Sequence, residues 1–453
     1  MDNYKILFVS LGCDKNLVDT EKMLGMLNGR GFVFTDNEQE ADIIVVNTCC
    51  FINDAKEESI QTLLDMASLK QTAKCRLLIA AGCLAQRYES EIMTEIPEVD
   101  GILGTASYDK IVELILDALG HEHVKYMLDV NRLPENTAGR IVTTGGYYAH
   151  LKIAEGCDKH CTYCIIPSIR GTYRSVPMEE LLSEARRLVD GGVRELILVA
   201  QETTLYGVDL YGKKSLHVLL EKLCEIEELR WIRILYCYPE EIYDELIAVI
   251  AKEEKICHYL DMPIQHASDS VLKRMGRKTN KQQLMDIVQK LKERIPDIAL
   301  RTTLITGFPG ETEEDHEEVM SFVQEMKFDR LGVFTYSPEE GTPAEKMEDR
   351  VPEETKELYR DEIMELQQTI AFEKAQSMIG RVLDVMIEGK LPEEGVYVAR
   401  TYMDSPGIDG NIFVPSDFNF MSGDFVTVRV TEANDYDLIG ELIEEGEDYE
   451  FTE

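Results

Sequence analysis

Short apolar runs rich in β-branched residues alternate with helical patterns along most of this chain, and no other feature of the sequence constrains its fold as much. Residues 5–9, 42–46 and 76–80 read as strands, while residues 16–28 and 54–70 carry the apolar spacing of amphipathic helices. Strands separated by helices pair in parallel through right-handed crossovers, so residues 1–120 are expected to form a small doubly wound domain. Residues 121–146 mix His, Pro, Asn, Thr and Gly without periodicity and read as a linker.

The alternation restarts at residue 147, with strand candidates at 150–154, 195–200, 231–236, 259–263, 299–306 and 330–336. Six βα units are too many for a small sheet and too few for a closed eight-fold barrel. An open, partial (β/α) barrel is therefore expected over 147–375, with its ligands at the strand C-termini. Residues 352–377 read as one long charged helix stopped by Gly380. The pattern then changes to short strands at 382–387, 396–401 and 425–430, punctuated by Pro392, Gly395, Pro406, Gly407 and Gly423. That suits a small antiparallel β-barrel over 376–445, followed by an acidic tail, 446–453. The class is α/β, in three units, which agrees with a chain of 453 residues.

Charge narrows the partners. There are 47 basic and 85 acidic residues, a formal net charge of −38, so the field of the whole chain repels phosphate backbones and attracts basic surfaces. Nucleic acid, tRNA included, is disfavoured. No apolar run reaches the roughly 20 residues that a membrane-spanning helix needs, and residues 1–4 lead directly into a strand without a signal-peptide pattern. A cytoplasmic protein with no membrane partner is expected. Eleven cysteines in such a chain point to reduced thiols and metal ligands rather than to a disulfide framework.

The strongest local motif is Glu155-Gly-Cys157-Asp-Lys-His-Cys161-Thr-Tyr-Cys164, just after the first strand of the expected barrel. Cysteine thiolates are the usual ligands of iron-sulfur clusters, and this tight loop lets one segment hold three corners of a cube. The fourth iron stays open to chelate the amino and carboxylate groups of S-adenosylmethionine (SAM), whose reductive cleavage yields a deoxyadenosyl radical. The spacing Cys-x3-Cys-x2-Cys, with the aromatic Tyr163 before the last cysteine, is the radical-SAM signature. A structural zinc site is the alternative, since zinc also takes thiolates, but its motifs usually come as two pairs of ligands.

A second trio is spread through the sequence. Cys13, Cys49 and Cys83 each follow one of the three N-terminal strand candidates, and the loops after parallel strands lie along one sheet edge, where such sheets bind ligands. The alternative is that they are buried small hydrophobes, as free cysteines often are. Cys50, beside Cys49, competes with it as a ligand. Gln201, at the end of the second barrel strand, and Glu311, in Gly307-Phe-Pro-Gly-Glu311 at the end of the fifth, are with Tyr163 the candidate SAM contacts. Glu202, Asp261, Gln265, His160 and His266 lie in the same neighbourhoods, with packing or capping as their alternative role.

Together the N-terminal cysteines, the Cys-x3-Cys-x2-Cys unit and the C-terminal barrel resemble the radical SAM methylthiotransferase family over nearly the whole chain. Residues 9–21, with Ser-Leu-Gly-Cys-Asp-Lys-Asn around Cys13, and residues 165–171, Ile-Ile-Pro-Ser-Ile-Arg-Gly, are similar to its ribosomal branch. That branch methylthiolates an aspartate of small-subunit ribosomal protein uS12, and the tRNA-modifying branch is its close relative. Where proline is expected after the first cysteine, this chain has Asp14, which touches no cluster ligand. The resemblance implies two 4Fe-4S clusters, on Cys13, Cys49 and Cys83 and on Cys157, Cys161 and Cys164, together with SAM and a one-electron reductant. It favours Cys49 over Cys50, because the family motif reads Asn47-Thr48-Cys49 here, and it implies that the C-terminal module is a substrate-binding TRAM domain. That module holds four Lys and Arg against eighteen Asp and Glu over residues 376–453, which suits a basic ribosomal protein better than tRNA. Asp384, Glu388, Asp424 and Asp437 are its candidate capture face. A non-enzymatic iron-sulfur carrier is the reading of another class.

Overall fold

The computed structural model describes residues 4–135, 139–392 and 394–443; the expected acidic tail, 446–453, lies outside them. Six parallel strands form the N-terminal sheet: β1 (Lys5–Ser10), β2 (Val33–Phe34), β3 (Ile43–Thr48), β4 (Leu77–Ala81), β5 (Gly101–Leu103) and β6 (Val124–Tyr126), in the order β2-β1-β3-β4-β5-β6. Only three of these strands are legible as apolar runs. The other three are two or three residues long, too short to show a period. The last of them falls in the stretch read as linker, so the sheet extends to Tyr126. All six residues of β3 are buried, and each fully buried Ile or Val there contributes about 1.5–3 kcal/mol. The order reverses at β1/β3, and a doubly wound sheet binds ligands outside the carboxyl ends of its strands at that switch point.

The helix Asp14–Asn28 follows β1 and buries more than its apolar stripe. Lys15, Asn16, Asp19, Thr20, Glu21 and Lys22 are all buried, because its polar face packs against the second domain. There β7 (Tyr148–Lys152), β10 (Glu195–Val199), β11 (Trp231–Ile234), β12 (Ile256–Asp261), β13 (Ala299–Thr306) and β14 (Arg330–Thr335) make an open parallel sheet in the order β14-β13-β12-β11-β10-β7. This is the expected partial barrel. Between β7 and β10 the short strands β8 (Ala154–Glu155) and β9 (Arg174–Ser175) pair antiparallel, so the predicted strand 150–154 breaks in two where the chain turns into the cysteine loop.

The helix Glu353–Ser377 leads to a closed five-stranded barrel of β15 (Val382–Leu391), β16 (Val396–Arg400), β17 (Ile412–Pro415), β18 (Phe425–Ala433) and β19 (Leu438–Leu442). Its pairing is antiparallel except for β17 and β19, which run parallel. It docks where β10, β11 and β14 begin. Glu195 bonds Arg233 at 2.8 Å and Arg400 at 2.5 Å, Arg330 pairs with Asp404, and Trp231 meets Phe425 edge-on at 4.8 Å. The four acids expected to form a capture face have other partners. Asp384 accepts from the Thr427 hydroxyl at 2.8 Å, Glu388 bonds Arg400 at 2.9 Å, and Asp424 and Asp437 each accept a backbone N–H at 2.8 Å, from Met421 and Asn411. Short acidic side chains satisfy turn amides well, and acid counts do not reveal that use.

Candidate active site: two cysteine trios

Cys13 caps the helix after β1, Cys49 follows β3, and Cys83 stands in the first turn after β4, so the three loops share one sheet edge at the switch point. Their approach is close. Gly12 has φ +88°, and a Cβ there would stand 2.6 Å from the Cys49 Cβ. Burial pushes the Cys83 thiol up to about 11, with the neighbouring Cys13 and Cys49 sulfurs adding to the shift and Arg170 opposing it. Cys50 is buried in the same apolar core as Cys83, and burial pushes its thiol up to about 12, with Cys83 adding to the shift and Arg87 opposing it. Asn16 fixes the Cys13 turn by donating to the Leu11 carbonyl at 2.7 Å and the Thr48 carbonyl at 3.2 Å, and the Ser59 hydroxyl bonds both backbone groups of Cys49 at 2.9 Å.

The second trio lies on one loop at the end of the first barrel strand. Gly156 (φ +77°) opens it, with a Cβ position only 2.1 Å from the Thr172 carbonyl oxygen, so no larger residue fits. Cys157 N–H donates to the Gly171 carbonyl at 3.1 Å, and Thr162 N–H to the Met275 carbonyl at 2.9 Å. Burial raises the Cys157 thiol to about 11 and the Cys164 thiol to about 12, and each also feels the Cys161 sulfur. Such thiols stay protonated until a metal displaces the proton. Tyr163 wedges edge-on against Phe308, 6.4 Å between centroids, and so ties this loop to the Gly-Phe-Pro-Gly turn after β13.

Among the described residues no three His, Cys, Asp or Glu side chains close tightly enough to clasp one metal ion. A cube-type cluster takes its thiolates at separate corners and needs a wider triangle than a single ion does. The donor chemistry, three thiols in each trio, fits iron-sulfur ligation. A fit for an amino-acid ligand lies beside Cys157. Gln201 donates to Glu155 at 3.0 Å, which leaves its buried Oε1 without a hydrogen-bond partner, and Glu202 Oε2 is buried without a hydrogen bond, its nearest cation being Lys159 at 4.0 Å. Burial lifts the Glu202 carboxyl to about 7 against the pull of Thr204 and Lys159. Acceptors held without donors suit an ammonium group.

Glu311 stands in the turn after β13, its Oε1 likewise buried without a hydrogen bond. One of its oxygens accepts from Phe308 N–H at 3.0 Å in its own turn, and the other sits 3.3 Å from His266 Nε2, an ion-pair distance without hydrogen-bond alignment. Asp261 bonds Arg301 at 3.0 Å and Tyr236 N–H at 3.1 Å, which is the capping role. Gln265 lies in the left-handed region, as does His160, and bridges β13 through its backbone.

Residues that sequence reasoning did not single out connect the trios. Arg170, fully buried, donates to Asp19 at 2.7 Å, to Glu155 at 3.2 Å, to Asn16 at 3.0 Å and to the Cys83 sulfur at 3.4 Å. Glu155 lies two residues before Cys157 and also receives Lys152 at 2.7 Å. Burial opposes its ionisation, but Lys152 and Arg170 outweigh burial and hold its carboxyl well below the usual range. One ionic cluster thus spans both domains. Its only trace in the sequence is charge inside otherwise apolar segments.

Three family models match in chain order: the uncharacterized protein family UPF0004 over residues 5–104, the radical SAM superfamily over 151–323 and the TRAM domain over 379–443. The ribosomal protein uS12 methylthiotransferase RimO of Lachnoclostridium phytofermentans is 64% identical over 436 residues, which cover 96% of this chain and 99% of that one. The chain belongs to the RimO family. The RimO proteins of Pelotomaculum thermopropionicum and Clostridioides difficile are 50% and 47% identical, each over 97% of this chain and 99% of its own. Among solved structures, the radical SAM methyltransferase TsrM of Kitasatospora setae, with cobalamin and a [4Fe-4S] cluster bound, aligns with a TM-score of 0.55 at 12% identity, over 76% of this chain and 74% of that chain. The cobalamin-dependent radical enzyme OxsB gives 0.53 at 13% identity, over 82% and 56%. These two likenesses concern the fold alone. As a RimO-family member the chain is a radical SAM methylthiotransferase that works with SAM and iron-sulfur clusters. No helix among its described residues is long and apolar enough to cross a membrane.

Proposed function

We propose that this chain methylthiolates the aspartate side chain of ribosomal protein uS12, with Cys157, Cys161 and Cys164 holding the radical-generating 4Fe-4S cluster and Cys13, Cys49 and Cys83 holding the sulfur-delivering one. The observation that carries the reading is the arrangement of two separate thiol trios at the carboxyl ends of two parallel sheets, joined through Arg170. When bound, SAM and the two clusters supply one-electron chemistry and sulfur, which an unactivated carbon requires because no side-chain base at neutral pH can deprotonate it. The protein's own groups bind and orient. Gln201 and Glu202 offer buried acceptors to the amino group of SAM, with Tyr173 beside them. Tyr163 and Phe308 shut the apolar side of the loop, and Asn16 and Ser59 fix the backbone of the N-terminal trio. A one-electron reductant completes the system. The acidic surface favours basic uS12 over tRNA.

The test uses anaerobically reconstituted protein with SAM, dithionite and purified uS12. The expected result is deoxyadenosine together with uS12 heavier by one methylthio group. Replacing Cys13, Cys49 and Cys83 by Ala should leave deoxyadenosine formation and abolish the mass gain, whereas replacing Cys157, Cys161 and Cys164 should abolish both. Modified tRNA with unmodified uS12 would assign the chain to the tRNA branch, and cluster release without deoxyadenosine would make it a carrier.

A further inference from the structure

Lys15 stands two residues from Cys13, in the first turn of the helix Asp14–Asn28, and is only 7% exposed. Its ammonium lies over the Tyr236 ring, 3.2 Å from the centroid. Among the described residues no carboxylate comes within 4 Å of it. The nearby Asp14 also stabilises the cation, while its oxygens face the Tyr236 hydroxyl at 3.3 Å and His150 at 3.5 Å. Burial disfavours that charge, but Tyr236, Cys13 and Asp14 together outweigh burial, so a persistent cation stands beside Cys13.

Tyr236 is itself held in an uncommon state. It follows β11, at the same end of the barrel as the Cys157 loop and Gln201, and has φ +59°. A bulky residue there is strained, and such strain persists only where neighbours enforce it. Asp261 accepts from the Tyr236 N–H at 3.1 Å, while Thr203 N–H and hydroxyl both donate to its carbonyl at 3.1 Å. The ring is thus presented to the mouth of the barrel, with the Lys15 cation on its face and exposed Cys13 beside it.

We propose that Lys15, braced on Tyr236, receives the side-chain carboxylate of the substrate aspartate and thereby selects an acidic residue for modification. The proposal rests on the reading of uS12 as substrate. Holding the carboxylate next to Cys13 places the adjacent methylene carbon between the two cysteine loops, where hydrogen removal and sulfur delivery must both reach it.

The test measures binding to the reconstituted full-length enzyme without reductant, so that no turnover intervenes. The partners are uS12 and uS12 with its modified aspartate replaced by asparagine. The unaltered enzyme should bind the aspartate form about tenfold or more tightly, the scale of a hydrogen bond to a charged group. Lys15→Met should bind both forms within about twofold, and Lys15→Arg should restore the preference. Lys15→Gln serves the same comparison should Lys15→Met fail to fold. A neutral variant that keeps the preference for aspartate overturns the proposal. So does loss of iron from the N-terminal trio in that variant, which would make Lys15 a counter-charge for the cluster. If the unaltered enzyme binds neither form, the uS12 reading itself falls, and Lys15 with it.

Discussion

The Arg170 guanidinium of the barrel domain lies 3.4 Å from the Cys83 sulfur of the N-terminal sheet, so a ligand of one proposed cluster is held by a residue anchored beside the other. Hydrogen bonds to ligand sulfurs and nearby positive charge raise a cluster's reduction potential. Arg170→Met is therefore expected to lower the potential of the N-terminal cluster, read by redox titration in a background where Cys157, Cys161 and Cys164 are Ala. It also leaves Lys152 as the cation that must hold both Asp19 and Glu155. Breaking a buried ion pair costs about 3–5 kcal/mol, so the variant should melt earlier, with Arg170→Lys between the two. An unchanged potential would reduce Arg170 to a domain clamp.

The joint between barrel and TRAM domain gives a pH prediction. Burial pushes the Glu195 carboxyl up, but Arg400 and Arg233 outweigh it and hold the carboxyl below its usual range. The folded state then binds fewer protons than the unfolded one, so this contribution is complete above the ordinary glutamate value of about 4.3 and fades as pH falls through the folded value. Stability to urea should drop as pH falls below about 4.3 toward pH 3. Glu195→Gln should be less stable at pH 7, by about 3–5 kcal/mol, and should lose less than the unaltered protein on acidification.

Gly12 tests the N-terminal trio locally. A Cβ at that position meets the Cys49 Cβ at 2.6 Å and its sulfur at 2.7 Å, and the left-handed φ adds strain. Gly12→Ala should remove about half of the iron and sulfide while deoxyadenosine formation continues, measured by metal analysis and chromatography. Retention of full iron content would mean that Cys49 is no ligand.

The parts of this architecture that repeat were readable before the structure. The barrel strands and the long helix ending at Ser377 lie close to where period put them, except the first strand, which breaks in two ahead of the cysteine loop. What escaped reading depends on tertiary partners. The polar face of the helix Asp14–Asn28 looks solvent-exposed by its residue types, yet Asp19 and Lys22 are buried because a second domain covers them. Arg170 and Lys15 stand inside quoted motifs, but only the domain interface gives one a thiol and the other a tyrosine ring.

The acids of the TRAM domain divide into two sets with opposite expectations. Glu388 bonds Arg400, which in turn holds Glu195, so Glu388→Lys should destabilise the domain joint rather than weaken substrate capture. Glu394, Asp417, Glu432 and Glu441 are exposed, and they are the acids available to attract a basic ribosomal protein. Complementary charge acts chiefly on association rate and is screened over about 8–10 Å at physiological ionic strength. Changing these four to Lys should slow uS12 association several-fold at low salt, and the difference should shrink as salt rises. Melting temperature and deoxyadenosine formation should stay as they were, since none of the four touches a cysteine loop. Stopped-flow binding across a salt series separates the cases. A rate indifferent to both salt and substitution would place uS12 recognition away from the TRAM surface, while a gain in salt-sensitive tRNA binding by the Lys variant would identify the acidic face as what keeps tRNA off.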